Sequence, residues 1–281
     1  MGKILIIGAK GMLGRELTRV FANREVFAWD LEDIDISSEE DAREKIIALR
    51  PDVIINAAAY NNVDKAESEK EKADLLNGYA PGYLAKIADE IGAVFVHYST
   101  DYVFDGERRE GYNENDAPNP INVYGASKLL GEREALAKAK KCYIIRLSRL
   151  FGQAGSGQAV KKSFVDTMLD LAKDKKELKV VDEEMSSPTY APDLAERTKY
   201  ILENNLPYGI YHATNSGGCT WYEFAKEIFK LKNIEINLIK AGSGEFKRAA
   251  LRPQFSVLLN TKLPAMRDWR DALGEYLKFK I

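Results

Sequence analysis

The chain has 281 residues, enough for one large α/β domain with a small appendage or for two average domains. Hydrophobic residues make up 45% and charged residues 30%, and the formal net charge is -2, so the basic excess of a nucleic-acid binder is absent. No apolar run approaches the roughly 20 residues a bilayer demands, and Lys3 leads directly into a short strand, so no signal peptide, no membrane partner and a cytoplasmic location are expected.

Lys3–Ile7 is a short apolar run ending at glycines, the pattern of a strand buried on both faces. Gly11–Ala22 then carries Leu13, Leu17, Val20 and Phe21 at helical spacing, and Glu25–Asp30 reads as a second strand ending on an acid. Ser37 and Ser38 ahead of Glu39, Glu40 and Asp41 supply an N-cap and an acidic first turn for a helix reaching Leu49, which Pro51 stops. Asp52–Asn56 is a third strand, and Asp74–Ile91 a long helix in which Pro81 falls in the first turn or makes a kink. Ala93–Ser99 is a fourth strand, followed by an irregular polar stretch to Pro120, a helix over Val123–Lys140 and a fifth strand over Cys142–Ser148. This alternation predicts an α/β fold with a Rossmann-type doubly wound parallel sheet over residues 1–150.

After residue 150 the pattern loosens. Gly152, Gly155 and Gly157 mark a loop, and Val160–Lys173 is an amphipathic helix. Short strands at Leu178–Val181 and Gly209–His212 are separated by a helix starting near Pro192, and helices follow at Trp221–Leu231 and Ala265–Lys278. Residues 151–281 are read as a smaller C-terminal substrate-binding region, some of whose segments return to the Rossmann core.

The first strand runs into GAKGMLG, with glycines at Gly8, Gly11 and Gly14. Glycine allows the tight turn, lets backbone amides approach a pyrophosphate at a helix N-terminus, and lets helix and strand pack closely. The spacing is GxxGxxG rather than GxGxxG, so its position between strand and helix carries the argument. Asp30 ends the next strand, where a carboxylate can accept ribose hydroxyls and repel a 2′-phosphate. That favours NADH, while Arg15 nearby leaves NADPH open.

Tyr124 and Lys128, in YGASK, are four residues apart and share one helix face. A neighbouring ammonium is expected to lower the phenol's pKa and ease proton exchange with a substrate oxygen. Ser99 and Thr100, in YSTDYVFDG, offer hydroxyls that could stabilise a developing alkoxide. These three features together resemble the extended short-chain dehydrogenases/reductases. Within that family the chain is similar to the 4-keto reductases of nucleotide-linked deoxysugars over nearly its whole length, through GAKGMLG, DVIINAAAYNNVDKAE, YSTDYVFDG, NPINVYGASKLLGE, SSPTYAPDLA and RPQFSVLLN.

The resemblance implies reduction of a dTDP-linked 4-keto sugar, dTDP-4-dehydro-L-rhamnose to dTDP-L-rhamnose, with Thr100, Tyr124 and Lys128 as the catalytic set. It further implies Gly8, Gly11, Met12, Leu13 and Gly14 at the pyrophosphate, and Asp30 at the adenosine ribose. Asp35 and Ile36 would approach the adenine, Ala58, Ala59 and Tyr60 would line the cofactor, and Tyr124 and Lys128 would meet its nicotinamide end. Thr100 and Asp101 would contact the sugar, as would Arg149, which stands where the family commonly has tryptophan and reads equally as a surface residue. Some relatives form homodimers that hold magnesium through interface carboxylates; a homodimer stays open here, and no residue identifies a metal site.

His97 and His212, without acids or cysteines at ligand spacing, are expected to be structural. Cys142 and Cys219 read as reduced interior residues, Asp64–Lys72 as a solvated helix face, and the aromatics of Trp221–Phe224 as core packing. A 4,6-dehydratase is disfavoured because Tyr102, not an acid, follows Asp101, while an epimerase is set aside on segment resemblance. A non-catalytic subunit like the β subunit of methionine adenosyltransferase is the remaining alternative, against which the intact Thr100, Tyr124 and Lys128 argue.

Overall fold

A computed structural model of the chain describes residues 2–156 and 162–280; Gly157 and Val160, read above as a loop glycine and a helix start, lie outside the described residues. β1 (Lys3–Ile7) has its last four residues buried, as an unbroken apolar run requires when helices cover both sheet faces. α1 (Met12–Val20) turns Leu13, Leu17 and Val20 inward, and β2 (Glu25–Trp29) follows. α2 (Glu39–Leu49) is capped by the Ser38 hydroxyl, which accepts from the Asp41 amide at 3.2 Å, and three acids occupy its first turn at the positive end of the helix dipole. Arg50 closes it in the left-handed region at φ 52°, and β3 (Val53–Asn56) begins two residues after Pro51.

Two short helices, α3 (Val63–Ala66) and α4 (Lys70–Asp74), come next. The long helix expected from Asp74 starts earlier and changes pitch: α4 passes through a π turn at Leu75–Tyr79 into α5 (Ala80–Ile91). Pro81 accounts for the change, because it has no N–H to offer the carbonyl one turn back and its ring crowds that carbonyl. β4 (Val94–Thr100), α6 (Val123–Lys138) and β5 (Cys142–Leu147) complete the regular half.

The remainder comprises β6 (Leu150–Phe151), α7 (Phe164–Asp174), β7 (Glu177–Val181), β8 (Met185–Ser186), β9 (Thr189–Tyr190), α8 (Ala191–Glu203), β10 (Gly209–His212), β11 (Cys219–Thr220), α9 (Trp221–Leu231), β12 (Asn237–Ala241) and α10 (Trp269–Lys278). Five of these strands were not legible in the sequence: β6, β8, β9 and β11 are two residues each, too short for any alternation to register, and β12 is a half-exposed edge.

The central sheet has six parallel strands in the order β2-β1-β3-β4-β5-β10, so a strand from the irregular half closes its edge. One face buries Ile4, Ile6, Val96 and Ile145 against Leu13 and Leu17 of α1 and Leu194 and Ile201 of α8. The other buries Leu5, Ile7, Ile54 and Ile144 against Ile46 of α2 and Leu84 of α5. A separate core, with Phe151, Phe224, Trp269 and Tyr276 at its centre, packs α7, α9 and α10 over the small β pairs. Strand order reverses between β1 and β3, and the carboxyl ends of the strands there open the crevice where such sheets bind ligands.

The acidic and basic run at Asp64–Lys72 is not simply a solvated face. Asp64 takes both arms of Arg252 at 2.7 and 2.7 Å and the Ala250 amide at 3.1 Å, while Glu67 accepts the Val123 amide at 2.9 Å. These bonds tie a C-terminal segment and the start of α6 to α3 and its C-terminal end. Cys142 and Cys219 are free and buried. Among the described residues no helix is long and apolar enough to cross a membrane, and no three His, Cys, Asp or Glu side chains are grouped to hold a metal ion.

Candidate active site

The glycine loop is built by close backbone approach. Gly8 leaves β1 at φ 78°, and its amide and that of Ala9 donate to the Trp29 carbonyl at 2.9 and 3.1 Å. A Cβ on Gly14 would lie 2.1 Å from the Gly8 carbonyl oxygen and 2.6 Å from the Ala9 Cα, so only glycine lets α1 begin this near the strand. The Asp30 carboxylate accepts from the Lys10 amide at 2.8 Å and the Leu31 amide at 2.9 Å, pinning the loop from the end of β2. Arg15, a candidate partner for a 2′-phosphate, donates instead to the Ala154 carbonyl at 2.7 Å.

A cavity of about 650 Å³ extends from this loop across the carboxyl ends of the strands to Trp221 and Phe224, within the size range of small-molecule sites. It brings together Gly8, Gly11, Met12, Leu13, Gly14, Asp30, Ala58, Ala59, Thr100, Asp101, Tyr124, Lys128 and Arg149, all singled out from the sequence. Asp35, Ile36 and Tyr60 do not line it. Asp35 is occupied by the Ser37 amide and hydroxyl at 2.9 and 2.6 Å, and Ile36 is buried in the sheet-face core. The Tyr60 amide is held by Asn77 at 2.8 Å and its hydroxyl donates to Glu69 at 3.0 Å.

Tyr124 and Lys128 project from the first turns of α6. Asn122 caps that helix, accepting from the Gly125 amide at 2.7 Å and donating to the Leu251 carbonyl at 2.8 Å. A Cβ at Gly125 would come within 2.1 Å of the Tyr102 carbonyl oxygen, so the glycine after Tyr124 lets the helix press against the exit of β4. The Tyr102 and Tyr124 rings meet edge to face at 5.8 Å. Desolvation and then the nearby Asp101 charge push the Tyr124 phenol up to about 12, with a hydrogen bond to Thr100 pulling the other way. The lowering expected from the neighbouring lysine is not among the effects on the phenol: burial sets the direction, and the phenol stays protonated.

Lys128 is 3% exposed, and burial lowers it to about 8, against a raising effect of Glu132. Its Nζ donates to the Tyr98 carbonyl at 2.6 Å and lies 3.3 Å from Nε2 of the buried His97. Burial also raises the Asp101 carboxyl, which accepts from Ser256 at 2.6 Å and Thr100 at 3.0 Å. Ser99 Oγ is buried with no hydrogen-bond partner among the described residues.

Arg149 is in the cavity wall, at φ 44°, rather than on the outer surface. Its guanidinium donates to the Cys219 carbonyl at 2.7 Å and the Glu184 carbonyl at 2.6 Å, and lies 3.9 Å over the Trp221 ring. The Trp221 indole N–H donates to Glu184 at 3.1 Å, and Arg248 also bonds that carboxylate. Sequence reasoning missed Glu184, Trp221 and Ser256 as site residues. Ser256 is within the quoted RPQFSVLLN segment, which was signal enough; Trp221 looked like core because α9 is amphipathic; Glu184 carried no signal, lying between two short strands.

The RmlD substrate binding domain family model matches residues 2–280. The spore coat polysaccharide biosynthesis protein SpsK of Bacillus subtilis is 40% identical, over 99% of this chain and 98% of that protein. The crystal structure of a dTDP-4-dehydrorhamnose reductase from Clostridium acetobutylicum superposes with a TM-score of 0.93 at 40% identity, covering 99% of both chains. That of a dTDP-4-dehydrorhamnose reductase from Bacillus anthracis, in complex with NADP, gives 0.94 at 35% identity over 100% of both.

Proposed function

The chain belongs to the RmlD substrate binding domain family, and from that premise we propose that it is an NAD(P)H-dependent reductase of the 4-keto group of a nucleotide-linked deoxysugar. The substrate we assign is dTDP-4-dehydro-L-rhamnose, reduced to dTDP-L-rhamnose. The observation that carries the reading is one cavity lined both by the glycine loop and by Tyr124, Thr100 and Lys128.

The residues present suit a nicotinamide dinucleotide: the first-turn amides of α1, which have no carbonyl partner within the helix, face the end of the glycine loop where a pyrophosphate would sit, and Asp30 stands at the end of β2 where a ribose would lie. When bound, that cofactor supplies the hydride that adds to the keto carbon. Tyr124, protonated at neutral pH, donates its phenolic proton to the oxygen that becomes anionic. Thr100 offers its hydroxyl to the same oxygen, and Lys128 steadies the phenolate left behind. Asp101, Ser256 and the Arg149–Trp221 stack enclose the sugar, with the guanidinium orienting it in the role tryptophan commonly has in relatives. Asp30 favours NADH, with NADPH accepted.

The test is oxidation of NADH, with NADPH in parallel, followed at 340 nm with enzymatically generated dTDP-4-keto-L-rhamnose. Tyr124→Phe should lower kcat by two to four orders of magnitude, roughly the worth of a positioned general acid, with cofactor binding retained. Undiminished turnover in that variant removes the proton-donor assignment. Cofactor binding without any reduction of the 4-keto sugar overturns the substrate.

A further inference from the structure

Behind Lys128 lies a row of buried polar groups that the mechanism above does not use. Asn56 on β3 and His97 on β4 are register partners in the parallel sheet, 1% and 0% exposed. The Asn56 Oδ1 accepts from the Ala58 amide at 3.1 Å. A backbone N–H can only donate, so the oxygen of the side-chain amide is fixed there and its NH₂ faces the histidine. That NH₂ is 3.2 Å from His97 Nδ1, which must therefore accept. The remaining ring proton is left on Nε2, and Nε2 faces Lys128 Nζ at 3.3 Å. Burial and the Lys128 charge hold His97 well below its ordinary value, so a second ring proton is excluded.

At the lysine the consequence is directional. An ammonium would set N–H against N–H, whereas an amine accepts the imidazole proton while the Tyr98 carbonyl stays bonded at 2.6 Å. We propose that His97 is a positioning residue for Lys128: locked by Asn56 as the Nε2–H tautomer, it stabilises the amine form and makes Lys128 the group that returns a proton to Tyr124 after each reduction. The proposal rests on the reductase reading. Hydride adds to the keto carbon, and the Tyr124 proton goes to the resulting alkoxide. The Lys128 ammonium then gives a proton to the phenolate, the amine left behind accepts from His97 Nε2–H, and water restores the ammonium. The described charges around this row are few: Glu132 on α6 reaches Lys128 while bonded to Arg146, Asp101 reaches Tyr124, and no carboxylate contacts His97.

With only two histidines in the chain, the tautomer can be read directly. Long-range ¹H–¹⁵N correlation on the ¹⁵N-labelled full chain, assigned with His212→Gln, should give His97 a protonated Nε2 and a bare Nδ1 that do not titrate between pH 6 and 9. An Nδ1–H tautomer or an imidazolium overturns the assignment of His97. In the kcat–pH profile for the reduction, His97→Phe should move the alkaline limb up by about one pH unit, because the amine loses its donor. His97→Gln, which offers an oxygen to Asn56 and an N–H to Lys128, should restore the wild-type limb and covers the case in which the phenylalanine variant does not fold. An unmoved limb in His97→Phe, or a limb in His97→Gln shifted as far as in His97→Phe, refutes the proton-return role. If the wild-type protein reduces no 4-keto sugar, the functional reading falls together with that role, while the ¹⁵N spectrum still decides the tautomer.

Discussion

Removing the Glu132 carboxylate is expected to destabilise the protein severely. Arg146 on β5 meets Glu132 on α6 through two charge-assisted bonds of 2.8 and 2.6 Å, and the side chains are 1% and 2% exposed. Glu132→Ala leaves a guanidinium in the protein interior whose remaining contacts among the described residues are neutral, His212 Nε2 at 3.5 Å and the Phe104 ring at 5.0 Å. Breaking a buried pair in this way costs about 3–5 kcal/mol, because the surviving charge has lost its partner and cannot regain water. For a chain of this size each kcal/mol corresponds to roughly 2–4 °C in Tm, so a fall of about 6–20 °C is expected. The assay is urea unfolding at pH 7, followed by circular dichroism, with the thermal midpoint as a second reading. The double variant Glu132→Leu with Arg146→Met should recover most of the loss, since apolar side chains of similar size need no partner. A single variant within about 1 kcal/mol of wild type would refute the reasoning, because it would mean that water or His212 already satisfies the guanidinium. Glu132 also raises the Lys128 pKa, so a folded Glu132 variant should show its alkaline activity limb at lower pH.

Gly14→Ala should raise the cofactor KM at least tenfold, with an overpacking cost of about 1–3 kcal/mol, since the new methyl meets backbone atoms of Gly8 and Ala9 that have no rotamer to change; unchanged cofactor titration would show that α1 can move away. Asp30→Ala removes the acceptor of two loop amides as well as the carboxylate aimed at the ribose, so KM for NADH should rise about tenfold and the NADH/NADPH ratio of kcat/KM should fall; an unaltered ratio would take Asp30 out of the ribose site. Arg252 holds the Asp64 carboxyl well below its usual range, so as pH falls the unfolded chain takes up the proton first. The clamp's contribution, about 1 kcal/mol or less because Asp64 is 41% exposed, is whole above about pH 5 and drains away below about pH 4. Asp64→Asn should therefore lower the urea midpoint more at pH 7 than at pH 3, where part of the contribution is already lost, and equal losses at both would refute the linkage.

The first half of the chain was legible because its signals are local. The apolar run of β1, the serine cap and acidic turn of α2, and the turn-forming glycines each state their structure within one element. Gly8, Gly14, Asp30, Tyr124 and Lys128 could be named for the same reason, since strand–glycine–helix spacing and a four-residue helical repeat bring them to one crevice. Several of the corrections concern contacts between residues distant in sequence. Asp64 meets Arg252 across 188 positions, Asp101 meets Ser256 across 155, and the Arg149 guanidinium lies on Trp221, with no periodicity to announce any of them. The ionisation of the site is also a tertiary property. Sequence could place a lysine beside a tyrosine, but only burial decided that the phenol rises and the lysine falls. Sequence alone thus determined the strand–helix alternation of the first half and where the glycine loop lies. Tertiary structure decided which side chains face one another and how much water they keep, because hydration and charge are set by everything that packs around a group and not by its neighbours along the chain.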